Sequence, residues 1–562
     1  VIGTQQNIAR RRIVVRHRGT VARWYGLMLA ALMSASVMTE TQGVEPPIPE
    51  TDIVTEVLPP PVASRPVAKR DRGSLTQEEL IDRLFAAEDR VQWLEEVEAA
   101  RKSRDSDVFR NISHLNMAAA EEAKKEEKPD PKAFKATWKH GLNFESNDKN
   151  FAVHLGGRTQ IDTVFLESNP AAFGVGNNGG DNDSANFRRA RLRADGTIYK
   201  TIDYVVEYDF VNASNDNAGL VGGLPGQPNS AANVIHVPAP TDGYFTFKET
   251  PIVGNVRVGL QKEPIGLEHL TSSRYLDFME RSFNQDAYTG PSNNGFSLGA
   301  SAFNNFSEDD RGLWTVGVFK NSTNAFAYAV DDGAYAVDGR LVYLLWDECD
   351  GEQLMHIGGS YSHRDPILNQ LRIRSRGSLR NGPGPLNPVF ADSGTFTTDA
   401  QDLAGAEFSM VLGSFQLQSE YILSNAIDAT NGGGNHGTYS TNGYYVMASY
   451  FLTGEHRAYD KKAGSFGRVI PFKNSRWCPQ DCSEGGWGAW QVLARYSNLD
   501  LTDAGINGGQ VQDYTAGLNW FLNPNMKIQA NYVATDRDSL GSPTSPGAGI
   551  IHGFGMRIAH DF

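Results

Sequence analysis

The chain is short of several things that would place it at once. Three cysteines in 562 residues are few for an exported protein. Cys478 and Cys482 sit in CPQDC, a turn-like loop that could close a small disulfide in an oxidising compartment. They have no second pair at zinc spacing, so no metal site is expected, and Cys349 stands alone. Past residue 40 no stretch approaches the roughly 18 apolar residues that a spanning helix needs. Enzyme signatures are missing too: there is no GxSxG, no HExxH and no P-loop. GVGNNG (174–179) matches GxGxxG by letters but runs into GDNDSAN, not a helix, so no helix N-terminus would face a pyrophosphate. No cofactor is expected.

What is present is glycine, at 57 positions, and aromatic residues, at 10% of the chain. That aromatic content is too rich for a disordered chain. The average suits two different objects, a secreted β protein and an outer-membrane barrel, because a barrel alternates apolar and polar residues and averages out hydrophilic.

Charge is divided unevenly. The net charge is −14, yet residues 1–39 hold six arginines and no acid, so the remainder carries −20. An acidic mature chain disfavours nucleic acid as a partner. The basic leader followed by WYGLMLAALMSASV (24–37) and small residues Ser34, Ala35 and Ser36 reads as a secretory signal peptide over 1–39. Residues 40–74 are proline-rich (EPPIPE, LPPPVASRP) and read as an extended linker. Thr76 with Glu79 makes a capping box for a helix over 75–127. Its apolar positions Leu80, Leu84, Ala87, Val91 and Leu94 step by 4, 3, 4, 3, which suits either a short coiled-coil seam or a single amphipathic helix. EEAKKEEKPDPK opens a charged linker over 128–149.

From there to the end the texture is period two. Phe151, Val153, Leu155, Ile161 and Phe165 alternate with His154, Arg158, Gln160 and Asp162. Ile202, Tyr204, Val206, Tyr208 and Phe210 alternate with Asp203, Glu207 and Asp209. Tyr514 to Leu522 and Met526 to Tyr532 repeat the pattern. These are strands with one apolar and one polar face. Aromatic residues bracket many apolar faces, as in Phe151/Phe165, Tyr204/Phe210, Tyr444/Tyr450 and Trp490/Tyr496. The last strand places Phe554, Met556, Ile558 and Phe562 opposite Gly553, Gly555, Arg557 and Asp561. A closing strand that ends on Phe resembles the assembly signal of outer-membrane barrels. The fold class expected is therefore all-β, a transmembrane antiparallel β-barrel of about 16 strands over 150–562, preceded by a short helical or coiled-coil segment.

The arginines are placed unusually. FRRARLR (187–193) sets Arg189, Arg191 and Arg193 on one strand face. LRIRSRGSLR sets Arg372, Arg374 and Arg376 at spacing two, with Arg380 beyond. On an open surface such strips are solvated. In a narrow lumen they become a ladder of planar donors for phosphate or carboxylate oxygens, with acids elsewhere limiting self-repulsion.

These stretches carry a resemblance. LGGRTQID (155–162), FRRARLRADGTIYK (187–200), IDYVVEYDF (202–210), VRVGLQKEPIGLEHLTSSRYLDFMER (256–281), YFLTGEHRAYD (450–460) and GLNWFLNPNMKIQANYV (517–533) resemble the phosphate-selective porin O/P family. The resemblance implies a homotrimer of 16-stranded barrels in the outer membrane, contacting its lipid, each with a constriction for phosphate or other small anions. The constriction arginines correspond to Arg158, Arg188 and Arg189, the accompanying aspartate to Asp242, and the hydroxyl ligands to Ser272 and Ser273. The arginine ladder corresponds to Arg372, Arg374, Arg376 and Arg380. Phosphate-selective members place a lysine after the GLE turn, where this chain has His269, a residue mostly neutral at pH 7. That departure favours a broader anion preference. Two other readings compete. In one the N-terminal helix tethers the envelope by trimerising or touching the cell wall. In the other the chain is a secreted β-rich carbohydrate binder.

Overall fold

The computed structural model describes residues 76–122, 130–168, 183–211, 238–290, 295–380 apart from 325, 328 and 331, then 387, 389–476, 485–538 and 548–562. The expected signal peptide (1–39), the proline-rich linker (40–74), the GVGNNG loop and both Cys478 and Cys482 lie outside the described residues. Cys349 is exposed in a turn.

The chain divides into two compact units, Val1–Ala118 and Ala119–Phe562. Of the first, the described residues belong to one helix, α1 (Gln77–Glu122), of 46 residues. Leu84, Val91 and Leu94 of the 4-3 stripe are exposed on it, as are Ile81, Phe85, Trp93 and Val97.

Beyond the end of α1, the second unit holds a hairpin, β1 (Phe134–Trp138) and β2 (Leu142–Ser146), and β2 also pairs with the next strand. This hairpin stands inside the segment expected as a charged linker. Phe134, Ala136 and Trp138 alternate with Lys135 and Thr137, a strand pattern that the surrounding lysines and glutamates mask in composition.

Sixteen strands follow: β3 (Phe151–Ser168), β4 (Ser184–Ile198), β5 (Ile202–Asp209), β6 (Ala239–Thr250), β7 (Gly254–Lys262), β8 (Phe296–Phe306), β9 (Gly312–Lys320), β10 (Tyr335–Glu348), β11 (Gln353–Arg364), β12 (Ala400–Leu412), β13 (Phe415–Ile427), β14 (Tyr439–Phe451), β15 (Ala489–Asp503), β16 (Ile506–Asn523), β17 (Met526–Asp538) and β18 (Gly549–Asp561). Each pairs antiparallel with its sequence neighbour. β18 then pairs with β3, from Ile551 opposite Ser168 to Asp561 opposite Arg158, so the sheet closes. Closure gives each of the sixteen barrel strands a partner on both sides, which a barrel needs where no water can satisfy its backbone.

The apolar face points outward, as the alternation requires. Phe554, Met556 and Ile558 are exposed while Gly553, Gly555 and Arg557 are buried inside. Tyrosines pair across strands on the outer face, with Tyr421 opposite Tyr444 and Tyr496 opposite Tyr514. Toward the turn end, the Trp490 and Trp520 rings stack at 5.0 Å. Amphipathic rings in such belts suit the two polar boundaries of a bilayer.

Among the described residues, parts of three long connections fold inward. The first, 263–290, carries the short helix α2 (Leu267–Leu270); the second, 365–380 and 389–399, carries the arginine ladder; the third, 452–476, comes from the turn end. Ile265, Phe283 and Tyr288 of the first and Ile373, Phe390 and Phe396 of the second pack with Leu403, Tyr439, Leu499 and Ile551 of the wall. This core inside the barrel fixes the loops against one side. Gly553 and Gly555 make the room: a Cβ at Gly555 would stand 2.7 Å from Leu379 Cδ2 and 3.0 Å from Met279 Sδ. The two glycines thus let both loops approach β18.

Candidate functional site

Inside the barrel the loops leave a cavity of about 1760 Å³. Among the described residues, sixteen arginines and lysines line it against nine aspartates and glutamates. Every site residue expected from the sequence lines this cavity: Arg158, Arg188, Arg189, Asp242, His269, Ser272, Ser273, Arg372, Arg374, Arg376 and Arg380.

The strands explain why. On β3, even positions point inward and bring Arg158, Gln160 and Asp162 to the lumen. On β4, strict alternation would carry Arg189, Arg191 and Arg193 inward and Arg188 outward. The register instead slips: Gln160 faces Arg189 while Ile161 faces Phe187. This bulge leaves Arg188 as the extra residue and turns it into the lumen beside Arg189.

Each cluster of guanidiniums is held by carboxylates. Arg158 donates to both oxygens of Glu207 at 2.6 and 2.7 Å, and to Ser273 at 2.5 Å and Ser272 at 3.4 Å. Arg191 shares Glu207 at 2.9 Å and reaches Asp209 at 2.8 Å. Arg193 pairs with Asp195 at 2.7 Å and lies 3.9 Å from Asp242. Arg188 grips Glu280 through Nε at 2.8 Å and Nη2 at 2.9 Å. On the ladder, Arg372 pairs with Asp392, while Arg376 and Arg380 share Asp286 at 2.7 and 3.1 Å. The self-repulsion of a row of arginines is thus answered by acids from other strands and loops.

His269 lies on α2, buried against Gly295. Burial first, and then the charge of Lys262, hold its imidazole well below the ordinary range, so it is neutral. Positive charge comes instead from Arg281, with Lys262 beside it, two residues the sequence reasoning passed over. Lys262 Nζ donates to the His269 carbonyl at 2.6 Å. Arg281 donates to the Glu268 and Thr271 carbonyls at 2.8 and 2.7 Å. They satisfy the last carbonyls of α2, a favourable place for cations, and both line the cavity. Burial draws Arg281 and Arg380 down to about 10, which leaves both charged at neutral pH. Glu207, Glu280 and Asp286 were also missed, since an acid's partner is set by the closed sheet and not by local spacing.

A closed sheet of this kind, apolar outside and charged along an inner cavity, defines a porin-type channel of the outer membrane. The comparisons name the family. The profile of phosphate-selective porin O and P matches residues 153–562, and the chain belongs to that family. Porin O of Pseudomonas aeruginosa is 24% identical over 455 residues, covering 75% of this chain and 91% of that protein. An uncharacterized protein of Caulobacter vibrioides is 26% identical over 418 residues, 73% of each chain. Among solved structures, the anion-selective porin from Comamonas acidovorans is similar at 13% identity and a TM-score of 0.42, covering 73% of this chain and all of that one. The family and fold are those of a channel rather than an enzyme, and they set aside the secreted carbohydrate-binding alternative.

Proposed function

We propose that this porin conducts small anions, phosphate or similar, through the arginine-lined passage. The observation that carries the reading is the excess of cationic over acidic side chains on the cavity wall. Arg372, Arg374, Arg376 and Arg380 draw anions inward. Arg158, Arg188 and Arg189, with Ser272 and Ser273, offer donors in place of the water an ion sheds, beside Asp242. Passage needs binding favourable enough to enter and weak enough to leave. The acidic total does not oppose this, because screening at physiological salt acts within about 8 Å and selectivity follows the local field. With His269 neutral, the preference is broader than phosphate alone. The family resemblance supports a homotrimer exported by the signal peptide over 1–39 and embedded in outer-membrane lipid. The experiment is planar-bilayer conductance under a salt gradient: an anion-preferring reversal potential is expected, and a cation-preferring one would reject the reading.

A second role is favoured by the exposed apolar stripe of α1, which would trimerise in the periplasm or touch the cell wall as an envelope tether. Deleting residues 76–101 should loosen the envelope and leave conductance intact. An unchanged envelope would count against the tether.

A further inference from the structure

One carboxylate stands apart from the rest. Glu280, on the first inserted loop, is 4% exposed and lines the cavity. Four guanidiniums converge on it. Arg188 holds it with two bonds of 2.8 and 2.9 Å. Arg557 of β18 donates at 2.7 Å, and Arg189 and Arg380 stand 3.9 Å away. These come from β4, β18 and the second loop, so Glu280 is the point where separate elements of the anion path meet. Two of the four keep buried donors with no partner, Arg189 Nε and Arg380 Nη1. A buried guanidinium donor without an acceptor is costly unless something visits it. Glu207, by contrast, is fully buried and does not line the cavity.

We infer that Glu280 is a tethered counter-anion which occupies the convergence point of the arginines and keeps passing anions weakly bound. This rests on the anion-channel reading and specifies which residue sets its affinity. Without a fixed negative charge, four arginines at one point would hold a phosphate or carboxylate tightly and turn the passage into a trap. With Glu280 in place, an arriving oxyanion meets Arg189 and Arg380 on the cavity wall but must share their guanidiniums with a carboxylate that cannot leave. Burial alone would raise the Glu280 carboxyl, yet Arg188, Arg189, Arg557 and Arg380 hold it well below its usual range, so it stays ionised. Glu280 is thus a specificity-determining residue, and removing its charge should strengthen anion binding.

The test is inhibition of chloride current by inorganic phosphate, in planar bilayers, with the full chain and its Glu280→Gln and Glu280→Ser variants. Removing one unit charge a few ångströms from the path should lower the half-inhibiting phosphate concentration by about tenfold. Maximal phosphate current should fall as exit slows. Glu280→Ser leaves room for a small anion and should shift the same way. Folded variants whose phosphate inhibition is unchanged or weaker would overturn the inference. So would failure of both variants to assemble, which would assign Glu280 to folding alone. A wild-type channel that prefers cations would instead reject the anion reading, whatever the variants do.

Discussion

Neutralising Glu207 is the sharpest test of how the arginines are held. Glu207 is fully buried, accepts two bonds from Arg158 and one from Arg191, also accepts from Thr241 at 2.9 Å, and lies 3.9 Å from Arg274. Glu207→Gln keeps one acceptor and turns the other into a donor that faces a guanidinium. Arg158 then loses its carboxylate partner while crowded by Arg191 and Arg274, and only Asp209, on Arg191, and Asp561, 3.9 Å from Arg274, remain to answer the three cations. Breaking a buried pair by removing one partner costs about 3–5 kcal/mol, and that is the loss expected. The measurement is urea unfolding in detergent followed by tryptophan fluorescence, with stability taken from midpoint and slope. Arg158→Gln should lose a similar amount. The double variant should lose less than the sum, with a coupling of about 1–3 kcal/mol, because neither charge is then left alone. A Glu207→Gln variant within about 0.5 kcal/mol of wild type, or strict additivity in the double, would refute the account of the cluster.

Other perturbations reach the same lumen by different routes. Gly555→Val should push Leu379 and Met279 off β18, cost about 1–3 kcal/mol by overpacking and raise single-channel conductance as the loops withdraw; unchanged conductance would count against the loops as the narrowing element. Arg189→Glu should weaken anion preference in the reversal potential, and unchanged selectivity would remove that residue from the path. His269 is already neutral in the folded chain, so selectivity should be flat from about pH 6 to 8, and a step near about 6.5 would contradict its neutrality. The unfolded chain takes up a proton that folded His269 refuses. The His269 contribution to stability should therefore be full above about pH 6.5 and decline as pH falls below it, a slope that His269→Gln should reduce.

Much of the barrel is legible in the sequence, because one physical rule governs it. Period-two alternation places Ile161, Tyr208, Tyr514 and Phe554 outward and Gln160, Glu207, Asp513 and Gly555 inward, and the structure agrees at each. The arginine strips are equally legible, since their spacing is local. Three features lie beyond local pattern. The bulge that turns Arg188 inward needs the pairing of β3 with β4, which spacing on one strand does not encode. The core of Ile265, Phe283, Tyr288, Ile373 and Phe390 sits on loops, where apolar residues have no periodicity to announce burial. The counter-charges are remote too: Glu280 lies 92 residues from Arg188 and 277 from Arg557. Only barrel closure and loop insertion bring them together. Lys262 and Arg281 had one usable signal, as cations flanking the short GLEHL helix whose final carbonyls need donors.

The central claim is that local arginine charge, and not the acidic total, decides what passes. The most direct measurement is the zero-current potential of the wild-type channel in a tenfold potassium chloride gradient across a planar bilayer. The account predicts a reversal potential on the chloride side of zero, shifted toward zero by Arg189→Glu. A reversal potential on the potassium side would contradict it.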